Sequence, residues 1–220
     1  RALGDVQPKY LNTPQTQLFS KREHLYGLVQ ARAAVRQQGY VIVCEGYTDV
    51  IALAQAGIGN AVASLGTAFT KEQARTLKRL TTEVILAFDG DTAGRTAADR
   101  GLDILREEGL AVRVALLPQG QDPDSFVRAH GPEAFLAQLE AAMSLTEFKI
   151  EEALGAFDLG SVDGRAGAVE ATLPILAGVT SPVAREAYVA RIASRVGTSS
   201  RAVFAALEQF LQRTGRRTGD

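Results

Sequence analysis

Cysteine, histidine, excess charge and long apolar runs are all scarce in this chain, and each shortage removes a class of protein. The 220 residues contain 1 cysteine and 2 histidines. Cys44 has no second cysteine to pair with, so an internal disulfide framework is excluded, and a reducing cytoplasm is the expected location. Within its apolar run Cys44 reads as a small core hydrophobe. No apolar stretch approaches the roughly 20 residues of a membrane span, and no membrane contact is expected. No leader peptide is visible, although a chain that starts at Arg1 says little about what a leader would be. The formal net charge of −1 gives no broad basic field of the kind that marks many nucleic-acid binders. Its distribution is uneven, with Arg1, Lys9, Lys21 and Arg22 near the start and acids crowding the middle.

What is present is an alternation of short apolar runs and helical periodicities. Residues 1–22 are polar and turn-rich, with Pro8 and Pro14. Glu23 to Gln38 carries apolar residues at helical spacing and ends at Gly39. The runs Tyr40–Cys44, Asn60–Ser64, Val84–Phe88 and Ala111–Leu117 predict four strands. Thr48 or Asp49 is expected to cap a helix closed by Gly57, and Thr70 with Gln73 has the pattern of a capping box. Leu102 and Leu105 share a face with Ala93, Ala97 and Ala98 in the helix expected after the third strand. A loop over 118–124 precedes helical segments reaching about Met143. This βαβα rhythm predicts an α/β fold, a mostly parallel sheet flanked by helices. From Leu145 onward no strand pattern appears. Val183, Ala187, Tyr188 and Ile192, then Val203, Phe204, Leu207 and Leu211, have helical spacing and predict a small C-terminal helical bundle over 145–212. Residues 213–220 read as a flexible tail. No internal repeat is found.

The acids fall where the strands end. Glu45 follows the first strand, Asp89-Gly90-Asp91 follows the third, and Asp122-Pro123-Asp124 lies in the loop after the fourth. Parallel strands would bring these to one edge, the edge where open α/β sheets bind ligands. Asp49, one turn into the next helix, would lie close by. Paired carboxylates repel, and a divalent cation relieves that repulsion. Oxygen donors without histidine or cysteine select Mg²⁺ or Mn²⁺ over Zn²⁺. Mg²⁺ commonly completes its shell with water and phosphate oxygens, which suits phosphoryl or nucleotidyl transfer. Gly90, Ala93 and Gly94 keep the turn and first helical residues slim beside a phosphate, and Arg95 is within the same stretch. The bland alternatives are specific too. A single Asp after a strand is often only a helix cap, and a helix-surface arginine is commonly solvated.

Three segments carry a resemblance. EGYTDV at 45–50, FDGDTAGRTAA at 88–98 and QDPDSFVR at 121–128 resemble the three acidic motifs of a Toprim domain. PKYLNTPQT at 8–16, LFSKREHLYGL at 18–28 and AVASLGTAFT at 61–70 are similar to the RNA polymerase core of bacterial DnaG-type replicative primases. The resemblance runs in order from Arg1 to about Leu145 and implies a Toprim-type fold over 23–144, preceded by the remnant of a basic subdomain at 1–22. It implies template-directed synthesis of short RNA primers on single-stranded DNA from NTPs, giving an RNA–DNA hybrid, in the bacterial cytoplasm at the replication fork. Asp89 and Asp91 would bind metal, Glu45 would be a ligand or general acid/base, and Asp122 and Asp124 would complete the site. Arg1, Lys9, Asn12 and Lys21 would contact nucleotide or template, and Tyr47, Asp49 and Arg95 are counted in the same nucleotide- and template-binding set. The family's zinc-binding domain and further basic core are expected upstream and are not in this sequence. A replicative helicase and single-strand-binding protein are expected partners through regions outside the chain, which leaves no evident room for a helicase-binding domain. Template grip and initiation by the chain alone are therefore expected to be impaired.

Other readings compete less well. A topoisomerase needs a tyrosine nucleophile, and nothing around Tyr10, Tyr26, Tyr40, Tyr47 or Tyr188 marks one. VILAFDGDT has the D-x-D-x-T look of a haloacid-dehalogenase phosphatase, yet it sits in the third strand and is followed only by Lys149 among lysines. A Toprim nuclease shares the same acids. A non-catalytic nucleic-acid-binding module with structural acids is the remaining alternative.

Overall fold

The computed structural model describes residues 16, 20–64, 69–88 and 103–215. The chain divides into two compact units, Arg1–Ser144 and Leu145–Asp220.

The first unit is built on a five-stranded sheet among the described residues, in the order β2-β1-β3-β4-β5. Its strands are β1 (Tyr40–Cys44), β2 (Ala61–Ala63), β3 (Glu83–Phe88), β4 (Ala111–Leu116) and β5 (Met143–Ser144). β1 pairs in parallel with both β2 and β3, and β3 pairs in parallel with β4. The four strands expected from apolar runs are therefore present, β1 with the expected bounds and the other three trimmed or extended by a residue at one or both ends. β5 is an addition: two residues running antiparallel to β4, pairing Val114 with Met143 and Arg113 with Ser144. A two-residue strand has no periodicity to detect, so the sequence pattern does not announce it.

Side chains alternate across the strands. Ile42, Cys44, Ile85, Ala87 and Ala115 face a cluster with Val50 and Leu53 of helix α2 (Tyr47–Gln55) and Phe126, Phe135 and Leu139 of helix α4 (Pro123–Glu140). Val41, Val43, Val84, Leu86 and Val114 are equally buried and alternate with them onto the opposite face. Both faces of the sheet are covered, which explains strands that read as continuous apolar runs. Cys44 is part of the core, as its surroundings suggest.

Helix α1 (Leu28–Gln38) packs against β1 and β2 and starts later than the expected Glu23. Two features stop an earlier start. The Tyr26 N–H donates to the Ala63 carbonyl at 2.8 Å and the Ala63 N–H donates back at 3.1 Å, so the backbone before the helix is committed to the sheet edge. Gly27 then turns with φ of 77°, and a Cβ there would lie 2.9 Å from Val50 Cγ1. Helix α3 (Lys71–Lys78) opens with the predicted capping box: Thr70 Oγ1 accepts from the Gln73 N–H, and Gln73 Oε1 accepts from the Thr70 N–H. Residues 103–107 are also helical and bury Leu105. The predicted partners Ala93, Ala97, Ala98 and Leu102 lie outside the described residues. Helix α4 is broken at Gly131, where φ is 83° and ψ is 168°, and restarts through Pro132.

The second unit contains α5 (Leu145–Gly155), α6 (Val162–Ala177), α7 (Pro182–Val196) and α8 (Ser200–Gly215). Their apolar stripes meet in one core that includes Ile150, Leu154, Leu176, Ile192, Val203 and Leu207. Ser161 and Ser181 cap α6 and α7. Arg191 bridges Glu147 and Glu151 across the α5–α7 surface. The bundle predicted from helical spacing is thus observed, and α8 continues to Gly215, into the stretch expected to fray.

Candidate functional site

The strand order fixes where a site can form. The chain leaves β1 for β2 on one side, then crosses to β3 on the other side of β1. The carboxyl ends of β1 and β3 therefore flank a topological switch point, the position at which open α/β sheets bind ligands. Glu45 is the residue directly after β1, exposed to solvent. Asp89 is the residue directly after β3, and it lies outside the described residues together with Asp91 and Arg95. Arg1, Lys9 and Asn12 are also outside them.

The turn after Glu45 is short. Gly46, extended at φ −114°, precedes α2 directly. The expected cap is thereby corrected: neither Thr48 nor Asp49 is the N-cap residue, because the helix begins earlier, at Tyr47. Asp49 occupies the third helical position and reaches back, its Oδ2 accepting the Gly46 N–H at 3.0 Å. Its other oxygen, Oδ1, accepts the Asp124 N–H at 3.3 Å. Asp49 is 4% exposed. Its helix, α2, packs beside α4, which places the two helix starts next to each other even though β3 lies between their parent strands.

The third acidic segment opens α4. Asp122 is the N-cap: its Oδ1 accepts the Ser125 N–H at 2.7 Å, and its own N–H donates to Ser125 Oγ at 3.0 Å. Pro123 takes the first helical position, where its missing N–H costs nothing. Asp124 follows, paired with Arg128 one turn on. The hydrogen bond that Arg128 Nε donates to the Asp124 carboxylate, with that carboxylate's charge, raises the Arg128 guanidinium above its ordinary pKa. This pair is exposed and adds little to stability. Asp122→Ala removes the cap without touching the core, so it should cost about 1 kcal/mol. A thermal melt of the variant checks this, and an unchanged midpoint would mean that the cap is dispensable.

Tyr47 and Lys21 are placed through neighbours that sequence spacing does not reveal. The Tyr47 ring lies 5.0 Å from that of Tyr26, tilted by 35°. Lys21 belongs to a segment anchored by Gln73, whose side chain is fully buried. Gln73 Nε2 donates to the carbonyls of Lys21 and His24, both at 3.0 Å. The Thr70 hydroxyl adds a bond to the Arg22 carbonyl. The capping-box pattern announces the local half of this arrangement. The bonds spanning 52 and 49 residues leave no trace in the sequence pattern.

The structure thus brings the Glu45–Gly46 turn, Asp49 and Asp124 into one connected edge. Among the described residues, no group of three or more histidine, cysteine, aspartate or glutamate side chains is arranged to hold a metal ion. Cys44, the nearest soft donor in sequence, is buried in the core. The donors that remain at the edge are carboxylate oxygens, a chemistry that fits a hard divalent cation. No described helix is long and apolar enough to cross a membrane.

Comparison with known proteins places this geometry in a family. Residues 42–127 match the Toprim-like family model, and residues 1–32 match the N-terminal domain of the DNA primase catalytic core. Residues 146–201 match the DnaB-helicase binding domain of primase. This last match corrects the expectation that the chain leaves no room for such a region. Helical periodicity carries no partner information, so the sequence pattern does not announce this region. The chain is 40% identical over 217 residues to the DNA primase of Clostridium acetobutylicum, covering 98% of this chain and 36% of the relative. It spans about a third of the length of the curated relatives it matches. A DNA primase domain from Pseudomonas aeruginosa superposes with a TM-score of 0.69 at 40% identity, covering 94% of this chain and 66% of that one. A DnaG primase catalytic domain bound to single-stranded DNA superposes with a TM-score of 0.67 at 41% identity, covering 90% of this chain and 63% of that one. The sheet with its flanking helices is therefore the Toprim-type fold of primase catalytic cores, and the chain belongs to the bacterial DnaG-type primase family as a segment of that core.

Proposed function

We propose that this chain supplies the acidic catalytic edge of a primase, which copies single-stranded DNA into short RNA primers by nucleotidyl transfer from NTPs. The observation that carries the proposal is the switch point between β1 and β3, with Glu45 exposed at its β1 side, in a chain of this family. In the reaction, a ribonucleotide 3′-hydroxyl attacks the α-phosphate of the incoming triphosphate, the new phosphodiester forms, and pyrophosphate leaves. A bound Mg²⁺, or Mn²⁺ in its place, would neutralise charge developing on the phosphate oxygens.

The protein groups divide into three roles. Glu45, Asp89, Asp91, Asp122 and Asp124 would furnish the carboxylates for the cation, with Glu45 as a ligand or as the general acid/base for the hydroxyl proton. Arg1, Lys9, Asn12 and Lys21 provide the polar and cationic strip for nucleotide or template, and Arg95 a further phosphate contact. Tyr47 backs the turn beside Glu45. The part over 23–144 is assigned to catalysis. The match of residues 146–201 to a helicase-binding family supports a role of the helical unit in contact with the replicative helicase. The remaining partners in this reading are the RNA–DNA hybrid product and single-strand-binding protein, in the bacterial cytoplasm.

The test is extension of an RNA primer already annealed to a DNA template, which bypasses initiation. The expected product is RNA whose sequence follows the template and whose formation requires Mg²⁺ or Mn²⁺. Incorporation indifferent to the template would sink the primase reading. Shortening of the strands instead would favour the nuclease alternative.

A further inference from the structure

Asp49 is chemically conspicuous because a carboxylate at the acidic edge is buried and directed at backbone. Taking a carboxylate out of water is costly unless its oxygens gain hydrogen bonds. Here each oxygen accepts a main-chain N–H, and the two donors come from different motifs: Gly46 in the turn after Glu45, and Asp124 at the start of α4. The two donors are 78 residues apart along the chain, from position 46 to position 124. Gly46 is fitted to the same carboxylate, since a Cβ there would lie 3.0 Å from Asp49 Oδ2.

We propose that Asp49 is a positioning residue that fixes the spacing between Glu45 and the Asp122–Asp124 segment, and does not itself contact nucleotide or template. The proposal rests on the reading of this edge as a divalent-metal site. It follows from geometry: a planar carboxylate accepting at both oxygens couples two turns that otherwise belong to separate strands. An asparagine of the same shape has one acceptor oxygen and therefore holds one turn at most. Groups that orient ligating carboxylates from behind commonly change metal affinity 10- to 100-fold when altered.

The experiment compares the 220-residue chain with Asp49→Asn, measuring Mn²⁺ affinity and amide hydrogen exchange at Gly46 and Asp124. Leu53→Ala, which removes apolar packing from the same helix and keeps the carboxylate, is the comparison for general loosening. The expected result is a loss of about tenfold or more in Mn²⁺ affinity for Asp49→Asn. Exchange at one or both of the two amides should rise together with that loss, while Leu53→Ala keeps its Mn²⁺ affinity. Unchanged Mn²⁺ affinity in a folded Asp49→Asn overturns the proposal and leaves the metal-site reading standing. Reduced affinity with both amides still protected also overturns it, because that is the signature of a direct ligand. A parent chain that binds no Mn²⁺ overturns both the proposal and the reading beneath it. If Asp49→Asn does not fold, Gly46→Ala carries the test, since its Cβ displaces the same carboxylate; unaltered Mn²⁺ affinity there counts against the proposal.

Discussion

Glu45→Gln lowers metal-dependent NTP incorporation by roughly 10²- to 10³-fold, the usual cost of removing one preorganised group that meets developing charge. The fold should persist. Glu45 lies after the last residue of β1, exposed at the sheet edge, and contributes no apolar packing. Glutamine keeps the volume and the hydrogen-bonding reach but not the charge. The stability change should therefore stay within about 1 kcal/mol. Asp89→Ala, at the position immediately following β3, should abolish incorporation for the same reason and more completely, because it removes the oxygens altogether. Single-turnover primer extension, with thermal melts of each variant, checks both. Glu45→Gln or Asp89→Ala protein that extends primers at the parental rate would remove these carboxylates from the site. A loss that disappears at high Mn²⁺ concentration would locate the effect in metal binding, and a loss that persists at saturation would locate it in the chemical step.

Much of this edge is legible before any coordinates exist, for a physical reason. Parallel strands buried on both faces read as near-continuous apolar runs, so Tyr40–Cys44, Val84–Phe88 and Ala111–Leu117 stand out, and an acid directly after such a run is expected at the carboxyl edge. Glu45 is read correctly by that logic. What each acid does is less legible. Asp49 and Asp124 look alike in sequence, yet one is buried against backbone and the other is paired with Arg128 at the surface. That difference comes from α2 packing against α4, a contact between elements separated by β2, α3, β3 and β4 in the chain. The start of α1 departs from the sequence pattern for a similar reason: apolar spacing favours a helix from Glu23, but the Tyr26–Ala63 pairing claims the backbone first. Local periodicity sees neighbours along the chain, whereas both outcomes were decided by neighbours in space.

Gln73→Leu tests the Lys21 segment through the backbone that holds it. Leucine matches the buried volume but leaves three backbone groups without their partner: the Lys21 and His24 carbonyls and the Thr70 N–H. A group stranded in this way costs about 1–3 kcal/mol when water cannot replace the lost partner. Lys21 and Thr70 are only partly buried and His24 is exposed, so a total near 3 kcal/mol is expected. For a unit of this size that corresponds to a fall of roughly 6–12 °C in melting midpoint. The segment carrying Lys21 should loosen, and single-stranded DNA affinity should fall with it. The salt dependence identifies the cause. Lys21→Ala removes one phosphate contact at most, which flattens the slope of log affinity against log salt by about 0.7 for a single strand. Gln73→Leu should flatten the slope by a similar amount, although it removes no charge, because it unseats the segment that presents Lys21. Melts and DNA titrations at several salt concentrations read both effects. A stable Gln73→Leu protein would show that these long-range bonds are not holding the segment. A destabilised one with the parental salt slope would show instead that the segment is held but lies off the path of the DNA.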